Sequence, residues 1–404
     1  MSNWKLVKLN FGCTPAHFGE IGIGLEETSE RVRSDTLFSA WSSTYARLFG
    51  KDAIEELLQR FLDSANPPVR MSSTFIYRQD SDRTIYYLPR PLKFPINYPA
   101  DDEVEDETEK GDLKFFKTYK KLSYLPLDVW QRWYQGVGFI KGDREELIAE
   151  TKGKSNGHLR QAGTFDYKKA FEIDEVPKIA VDRVTRATNL YHTGFVQFRS
   201  EPISSGVDDN TTCSYCLNRK LQPQWQSNDI RVKSLSGLYF LLHFPESDEK
   251  LEYHLHAALH FLGEEGIGGE RSSGAGRFDV EWLELPKTWQ NVVDFPEPKV
   301  HHCLVSLFWD DEPSTLKRLI ADAQQTSYEI QERGGWIGTP FSGRQLRRQM
   351  VRMFAEGSVF PEQPQGKLAN VTPREFITPQ GDYKPNAIYR SGISLSLPIK
   401  AQDK

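Results

Sequence analysis

Residues 266–278 read GIGGERSSGAGRF, and this stretch is the strongest indication of the fold. Five glycines, two serines and two arginines fall within these thirteen residues. Glycine allows positive φ angles and lets another backbone approach without a Cβ in the way. Backbone N–H groups, serine hydroxyls and arginine guanidinium groups all donate hydrogen bonds to phosphate oxygens. The stretch therefore predicts a glycine-rich loop that binds phosphate groups.

The sequence on either side of the glycine-rich loop argues against two common phosphate-binding motifs. Upstream, Leu251, Leu255, Leu259 and Leu262 share one face of a predicted helix. Downstream, residues 277–285 alternate as a strand does. A mononucleotide P-loop needs the opposite order, strand, loop, helix, together with a Lys-Ser/Thr pair that is missing here, and the dinucleotide fingerprint fails on the same order. An extended phosphate backbone is the better match for this loop.

The charge of the chain is unevenly distributed. The 404 residues suffice for two domains and carry a net charge of −5, which argues at first against nucleic acid. Residues 101–109 alone hold seven carboxylates, and removing these from a net charge of −5 leaves +2. Such a run is usually a solvated, disordered insertion. Because steering depends on local fields, a basic groove elsewhere is compatible with the total charge.

The cysteine content predicts a reducing compartment. Four cysteines are too few for a disulfide scaffold. Cys213 and Cys216 form a single C-x₂-C pair, whereas a zinc site needs four ligands, and the nearest histidines are distant in sequence. No apolar stretch reaches membrane-spanning length, and residues 1–12 lack the apolar segment of a signal peptide. We expect a cytoplasmic protein with no membrane contact, metal or cofactor.

Hydrophobic patterning predicts an α+β fold. Residues 4–11 alternate as a first strand, and Ser34 is a suitable N-cap for a helix that ends at Phe49. The order strand, helix, two strands, helix, strand is the ferredoxin-like plan, and it is clearer in the second half of the chain. The predicted organisation is a first domain at 1–199, with an acidic insertion at about 100–110 and a hairpin at about 179–198, a linker at 200–229 and a second domain at 230–404.

The glycine-rich loop resembles that of the RAMP superfamily of CRISPR proteins, where it reads GGxxSxGxGxF. Other blocks resemble, in the same order along the chain, one member of this superfamily. That member is the subunit of type III-A (Csm) interference complexes that caps the 5′ tag of the CRISPR RNA. The blocks are Phe11–Gly19, Arg33–Ala40, Val181–Thr185 with Asn189–Gly194, Ala355–Phe360 and Ile388–Gly392.

This resemblance implies both a fold and a function. The fold would be two ferredoxin-like (RRM-like) RAMP domains with a protruding β-hairpin and the glycine-rich loop. The function would be that of a non-catalytic RNA-binding subunit. It would join a large polymerase-like signalling subunit to a filament of backbone RAMP subunits, and it would meet target RNA only indirectly.

The candidate RNA-binding residues fall into three groups. The first is the glycine-rich loop, in which arginines would hold phosphates and the phenylalanine would stack on a base: Gly266, Gly268, Gly269, Arg271, Ser272, Ser273, Gly274, Gly276, Arg277 and Phe278. The second is the hairpin, which the resemblance presses against the 5′ tag: Asp182, Arg183, Thr185, Arg186, Asn189, Tyr191 and His192. The third lies within the other matching blocks: His17, Ser34, Tyr389 and Arg390.

Three alternatives are open at this stage. A glycine-rich loop is also the composition of an ordinary turn. Arg344, Arg347, Arg348 and Arg352 form either a solvated face or an RNA contact. His17 is the candidate general base if the chain is instead a metal-independent RAMP endoribonuclease that processes CRISPR RNA, although histidines that bond to the backbone are commoner.

Overall fold

The computed structural model describes residues 3–19, 27–63, 66–80, 83–98, 113–182, 184–202, 232–337, 346–376 and 387–401. The acidic insertion, most of the predicted linker, Arg183, Arg344 and the Cys213–Cys216 pair lie outside these residues. Within them, helices and strands are mixed along the chain, which confirms the predicted α+β class.

Nine α-helices form within the described residues, and none of them is both long and apolar enough to span a membrane. The predicted stripe of Leu251, Leu255, Leu259 and Leu262 is the buried face of the helix before the glycine-rich loop. The helices are α1 (Ser34–Phe49), α2 (Lys51–Asp63), α3 (Leu113–Lys121), α4 (Leu127–Tyr134), α5 (Lys141–Glu150), α6 (His158–Ala162), α7 (Glu249–Glu265), α8 (Lys287–Val293) and α9 (Pro313–Ile320).

The strands are mostly short. They are β1 (Trp4–Asn10), β2 (Arg70–Met71), β3 (Phe75–Asp80), β4 (Arg83–Pro89), β5 (Tyr124–Pro126), β6 (Phe171–Val181), β7 (Thr188–Phe198), β8 (Ser200–Pro202), β9 (Val232–Ser234), β10 (Ser236–His243), β11 (Asp279–Glu284), β12 (Val300–Leu304), β13 (Ile330–Arg333), β14 (Trp336–Ile337), β15 (Leu346–Arg347), β16 (Val351–Phe354), β17 (Val359–Phe360), β18 (Leu368–Asn370), β19 (Tyr389–Ser391) and β20 (Ser396–Lys400).

A seven-stranded antiparallel sheet lies at the centre of the molecule. Its order is β11-β1-β10-β3-β4-β5, and β2 also pairs with β10. β10 reads SGLYFLLH and is buried on both faces, so it is a continuous apolar run rather than an alternating one. Leu238, Phe240 and Leu242 pack in a core with α1 and α7, while Tyr239 and Leu241 belong to a second core on the opposite face.

The central sheet crosses the domain boundary predicted at residues 200–229. β1 lies between β10 and β11, so Val7 pairs with Phe240 on one side and with Trp282 on the other. The boundary must be corrected, because β1 takes its hydrogen-bonding partners on both edges from beyond the predicted linker. The elements β1, α1, β3, β10, α7 and β11 follow the order strand, helix, strand, strand, helix, strand, with residues 81–235 inserted in the middle.

The C-terminal residues cover the face of the central sheet opposite α1 and α7. β12 pairs with both β17 and β20 in a three-stranded sheet. Leu395, Leu397 and Ile399 share the second core with Tyr239 and Leu241. The central sheet therefore has α1 and α7 on one face and β12, β17 and β20 on the other.

β6 and β7 form a long hairpin within the inserted residues. They pair from Phe171 opposite Phe198 to Val181 opposite Thr188. The hairpin is longer than the predicted 179–198, because its first arm begins at Phe171. Phe198 is 2% exposed at the base, whereas Val184 at the tip is 92% exposed. The hairpin is thus anchored in the core at its base and extends its tip into solvent.

A buried carboxylate at the start of α1 binds the C-terminal residues. Asp35 is fully buried and accepts hydrogen bonds from the guanidinium groups of Arg333, at 2.9 and 3.0 Å, and of Arg390. Burial by itself would raise the pKa of Asp35, but the two arginine charges outweigh it and hold that pKa below its usual range. This ion cluster joins α1 to β13 and β19.

A second buried carboxylate makes the reciprocal connection. Glu356, between β16 and β17, accepts hydrogen bonds from Arg31 at 3.1 Å and from Arg33 at 2.5 Å. Ser73 also donates its hydroxyl to this carboxylate. Burial would raise the pKa of Glu356, but the charges of Arg31 and Arg33 hold it well below its usual range. The C-terminal residues thus supply the carboxylate of the Glu356 cluster and the arginines of the Asp35 cluster.

We expect Glu356→Gln to lower the free energy of unfolding by about 3–5 kcal/mol at neutral pH, because Arg31 and Arg33 lose their buried counter-charge. The pKa of Glu356 is depressed in the folded state. Its stabilisation is therefore present above the unfolded-state pKa and is lost as the pH falls toward the folded-state value. The difference between parent and variant should shrink by about 1 kcal/mol between pH ~7 and pH ~3.5. Urea unfolding of parent and variant at both pH values measures this stability difference. A difference that does not change with pH would contradict a depressed pKa for Glu356 in the folded state.

Candidate nucleic-acid interface

The glycine-rich loop follows α7 directly, and its glycines adopt conformations that other residues rarely adopt. Gly266, Gly268, Gly274 and Gly276 have φ angles of +86°, +98°, +87° and +77°. α7 ends where the N–H of Gly266 donates to the carbonyl of Leu262 at 2.8 Å. The glycine pattern is therefore required by the path of the loop itself.

Two of these glycines also allow close approach by the protein's own backbone. A Cβ on Gly268 would lie 2.2 Å from the carbonyl oxygen of His17, and one on Gly276 would lie 2.1 Å from that of Ile267. The sequence analysis predicted that the missing Cβ atoms would make room for a nucleic-acid backbone. At these two positions the space is taken by the chain, so the glycines fold the loop onto its neighbours.

His17 connects the glycine-rich loop to the hairpin. Its carbonyl accepts the N–H of Gly269 at 2.9 Å, and its ring Nδ1 lies 2.7 Å from the carbonyl oxygen of Gly194, to which it donates its proton. The side chain is 4% exposed. A general base must reach the proton that it removes, so this placement favours the structural role for His17 over the catalytic one.

An ion pair that the sequence analysis missed joins the same two elements. Lys178 of β6 pairs with Glu270 of the glycine-rich loop. The Lys178 Nζ also lies 5.3 Å from the centre of the Phe195 ring, within range of a cation–π interaction. Lys178 lies one residue before the predicted hairpin and 92 residues before Glu270, so no local pattern in the sequence indicated this pair. The loop, the His17 segment and the hairpin therefore form one connected surface.

The exposed part of the glycine-rich loop carries unneutralised positive charge. Arg271, Ser272 and Arg277 are exposed, and both arginines are without an ion pair in the part of the chain that the structure describes. Two of the acidic residues near them are bound elsewhere, since Glu265 pairs with Arg47 and Glu270 with Lys178. Two guanidinium groups are thus free to meet an anion from solvent.

Ser273 lies at the surface of the loop, whereas Phe278 lies in the core. The Ser273 hydroxyl is exposed and donates to the backbone carbonyl of Glu270 at 2.7 Å. Phe278 is 6% exposed and packs against Phe11 in the core, with ring centres 5.5 Å apart. The prediction that Phe278 stacks on a base is therefore wrong, because its ring is part of the core next to the central sheet.

The polar residues of the hairpin divide into turn-forming and surface residues. The Asp182 carboxylate accepts the N–H groups of Val184 and Thr185 at 2.7 and 3.0 Å. These hydrogen bonds hold the pKa of Asp182 below its usual range. Arg186 has a φ of +57° and donates its N–H to the carbonyl of Asp182 at 2.8 Å. Its side chain is exposed. Asp182 therefore closes the turn, and Arg186 is the cation at the tip.

The three candidate residues on β7 lie on different faces of the hairpin. Tyr191 lies opposite Lys178, and His192 lies opposite Pro177, so the two rings point to opposite faces. Both side chains are half-buried, whereas Asn189 is exposed. Tyr191 shares the face that carries Lys178.

The remaining candidates lie where α1 and its core meet the C-terminal residues rather than at the surface. Ser34 is 1% exposed, and its hydroxyl accepts the N–H of Leu307 at 3.0 Å instead of capping α1 as predicted. Arg390 is 3% exposed and bound to Asp35. Tyr389 is half-buried and packs against the core that contains α1. Ser34 and Arg390 thus hold α1 against the C-terminal residues, which corrects their predicted role as surface contacts for RNA.

No group of three or more His, Cys, Asp or Glu side chains that could hold a metal ion occurs within the described ranges. Cys213 and Cys216 lie outside those ranges.

The sequence and the fold of this chain are similar to those of Csm4 proteins of CRISPR systems. Residues 297–399 match the family described as CRISPR Csm4 C-terminal domain. The chain is 25% identical over 334 residues to the CRISPR system Cms protein Csm4 of Thermococcus onnurineus, covering 83% of each chain. It is 24% identical over 400 residues to the protein of the same name from Mycobacterium tuberculosis, covering 99% of each.

Solved structures of Csm4 share the fold of this chain. Against a crystal structure of the Csm3-Csm4 subcomplex of the type III-A interference complex, the TM-score is 0.53 at 17% identity, covering 98% of this chain and 99% of the other. Against a Csm1-Csm4 cassette in complex with cA4, the TM-score is 0.51 at 17% identity, covering 99% of each. The resemblance to the type III-A Csm subunit that the motifs predicted is confirmed along nearly the whole chain.

We expect Gly268→Ala to destabilise the protein by about 3 kcal/mol, because it adds backbone strain of about 1–2 kcal/mol at positive φ to a steric overlap with the carbonyl of His17. Gly50→Ala is the matched control, since Gly50 has a φ of +89° but no neighbouring atom within 4 Å of an added Cβ. Chemical denaturation measures the loss of stability in both variants. The loss in Gly50→Ala reports the backbone strain alone, and the additional loss in Gly268→Ala reports the steric overlap with the carbonyl of His17. Equal losses would show that the loop does not depend on its contact with His17.

Proposed function

We propose that this chain is the RNA-binding subunit of a type III-A CRISPR interference complex that holds the 5′ tag of the CRISPR RNA. The observation that carries the proposal is the connected surface formed by the glycine-rich loop, the His17 segment and the hairpin. It presents Arg271 and Arg277 to solvent without acidic partners in the described chain. Single-stranded RNA is bound by phosphate contacts to arginine and by stacking of splayed bases on aromatic rings. Arg186 and Tyr191 supply both kinds of group on the hairpin beside this loop.

The architecture proposed for this function is a pair of ferredoxin-like units facing each other. The strand and helix order of β1, α1, β3, β10, α7 and β11 supports the first unit. Residues 297–399, which match the Csm4 C-terminal domain, form the second. The buried clusters around Asp35 and Glu356 would then fix the orientation of the two units, and with it the surface offered to the RNA.

We propose two protein partners, a large polymerase-like signalling subunit and a backbone RAMP subunit. The similar Csm4 chains in solved structures are found with Csm1 and with Csm3, which supports a bridging position of this kind. Target RNA would be met only through the guide, and the chain would need no cofactor and work in the cytoplasm.

A catalytic role is the less well supported alternative. His17 would be the general base of a metal-independent ribonuclease, yet its Nδ1 is bonded to Gly194 and its ring lies against Gly19 and Gly269. We therefore propose a subunit that binds RNA without cutting it. Cleavage of repeat RNA by the purified protein in EDTA, lost in His17→Ala, would overturn this proposal.

We expect Arg271→Ala and Arg277→Ala each to weaken RNA binding about uniformly across sequences. Each lost phosphate contact should flatten the slope of log K against log salt by about 0.7. Arg318→Ala is the control, because Arg318 of α9 is exposed and already paired with Glu362, and neither residue belongs to the loop. Salt titrations of the three variants test this expectation. An unchanged slope together with a lower melting temperature would mean that the two arginines only brace the loop.

A further inference from the structure

Two histidines lie side by side at the surface of α7. His256 and His260 are four residues apart, so they share one face of the helix. Their Nε2 atoms are 3.0 Å apart, and their ring centres are 4.6 Å apart. His260 is exposed and His256 is half-buried, and in the part of the chain that the structure describes neither ring has another hydrogen-bond partner. Two imidazole nitrogens therefore meet at a surface open to solvent.

The surroundings restrain one of the two rings. The centre of the His256 ring lies 4.9 Å from that of Trp282 in β11. The Trp282 Nε1 donates to the carboxylate of Glu252 at 3.1 Å, and the Nζ of Lys5 pairs with the same oxygen at 3.0 Å. This chain of contacts holds His256, while the exposed ring of His260 can adjust to a ligand. A site with one restrained side chain loses less conformational entropy when it binds.

The histidine pair lies apart from the surfaces described above. The buried face of α7 consists mainly of leucines, and the glycine-rich loop begins only at Gly266. A hydrogen bond between two neutral imidazoles would by itself account for the contact, since one ring donates and the other accepts. An exposed histidine in such a contact adds little to stability. Neither the fold nor the glycine-rich loop thus uses the two nitrogens.

The separation of the two nitrogens matches that of two ligands on one metal ion. A neutral imidazole binds a metal through Nε2 or Nδ1, at about 2.0–2.1 Å for zinc. Two such ligands lie about 2.9 Å apart at a right angle and about 3.4 Å apart at a tetrahedral angle. The observed 3.0 Å falls between these values. Histidines at i and i+4 on one helical face are also the spacing by which H-E-x-x-H helices bind zinc.

We propose that His256 and His260 bind a divalent transition-metal ion of the zinc, nickel and copper class. Imidazole suits these ions, whereas Mg²⁺ and Ca²⁺ prefer oxygen ligands. Water would complete the coordination, because no third His, Cys, Asp or Glu side chain joins the pair within the described ranges. The site is distinct from the Cys213–Cys216 pair, and it does not depend on the proposed RNA-binding function.

Titration calorimetry of the untagged chain with Ni²⁺ tests the site. The background carries Cys213→Ser and Cys216→Ser, which remove the thiol ligands. His158→Ala is the matched control, because His158 is also an exposed histidine at a helix surface. We expect the background chain and His158→Ala to bind Ni²⁺ equally well. His260→Ala should bind it at least about tenfold more weakly, because loss of even a second-shell partner typically weakens metal binding by about tenfold or more.

Two further measurements separate a metal site from a simple hydrogen bond. Without metal, His260→Ala should melt at the temperature of the background chain, because its side chain is exposed. Excess Mg²⁺ should not displace Ni²⁺ from the background chain. The titrations are run well below both melting temperatures, so they report the folded chains even if the variant is less stable. Equal Ni²⁺ affinities of His260→Ala and the background chain, or binding only at millimolar Ni²⁺, would overturn the proposal.

Discussion

The reciprocal burial of two carboxylates is the constraint on which the rest of the structure depends. Asp35 of α1 is held by arginines of the C-terminal residues, and Glu356 of the C-terminal residues is held by Arg31 and Arg33, which precede α1. Buried ion pairs contribute little net stability compared with apolar packing, but breaking one is costly. Their effect is therefore to fix the position of α1 relative to β13 and β19 and to exclude other arrangements.

The functional surface is built outward from the same central sheet. β1 ends beside the His17 segment, α7 ends in the glycine-rich loop, and the inserted residues contribute the hairpin. His17 connects these parts through its ring hydrogen bond to Gly194 and through its carbonyl, which accepts the N–H of Gly269. Lys178 connects the hairpin to the loop through its ion pair with Glu270. Because Glu265 and Glu270 are already paired, they leave the charges of Arg271 and Arg277 available. A chain with a net charge of −5 can thus present a locally basic surface.

Local patterns in the sequence predicted the local elements well. The leucine periodicity of α7, the alternation of β11 and the hairpin all have signals within a few residues. The sharing of one sheet by β1, β10 and β11 has no such signal, because it depends on pairing between residues more than 200 positions apart. The lack of a local signal for long-range packing also explains why Phe278 and Arg390 were predicted as RNA contacts although both are buried. A family motif records that a residue is kept, and both binding and burial can be the reason, so only the packing separates surface residues such as Arg271 from buried ones.

The account rests on recognition of the 5′ tag by the hairpin and the glycine-rich loop together. The most direct measurement is the affinity of the full chain for tag-bearing CRISPR RNA and for an unrelated single strand of the same length at one fixed salt concentration. The account predicts tighter binding of the tagged RNA, and a variant with alanine at Arg183, Arg186 and Tyr191 should lose affinity for it more than for the unrelated strand, since phosphate contacts position and base contacts specify. Equal affinities for the two RNAs, or equal losses in the variant, would contradict it.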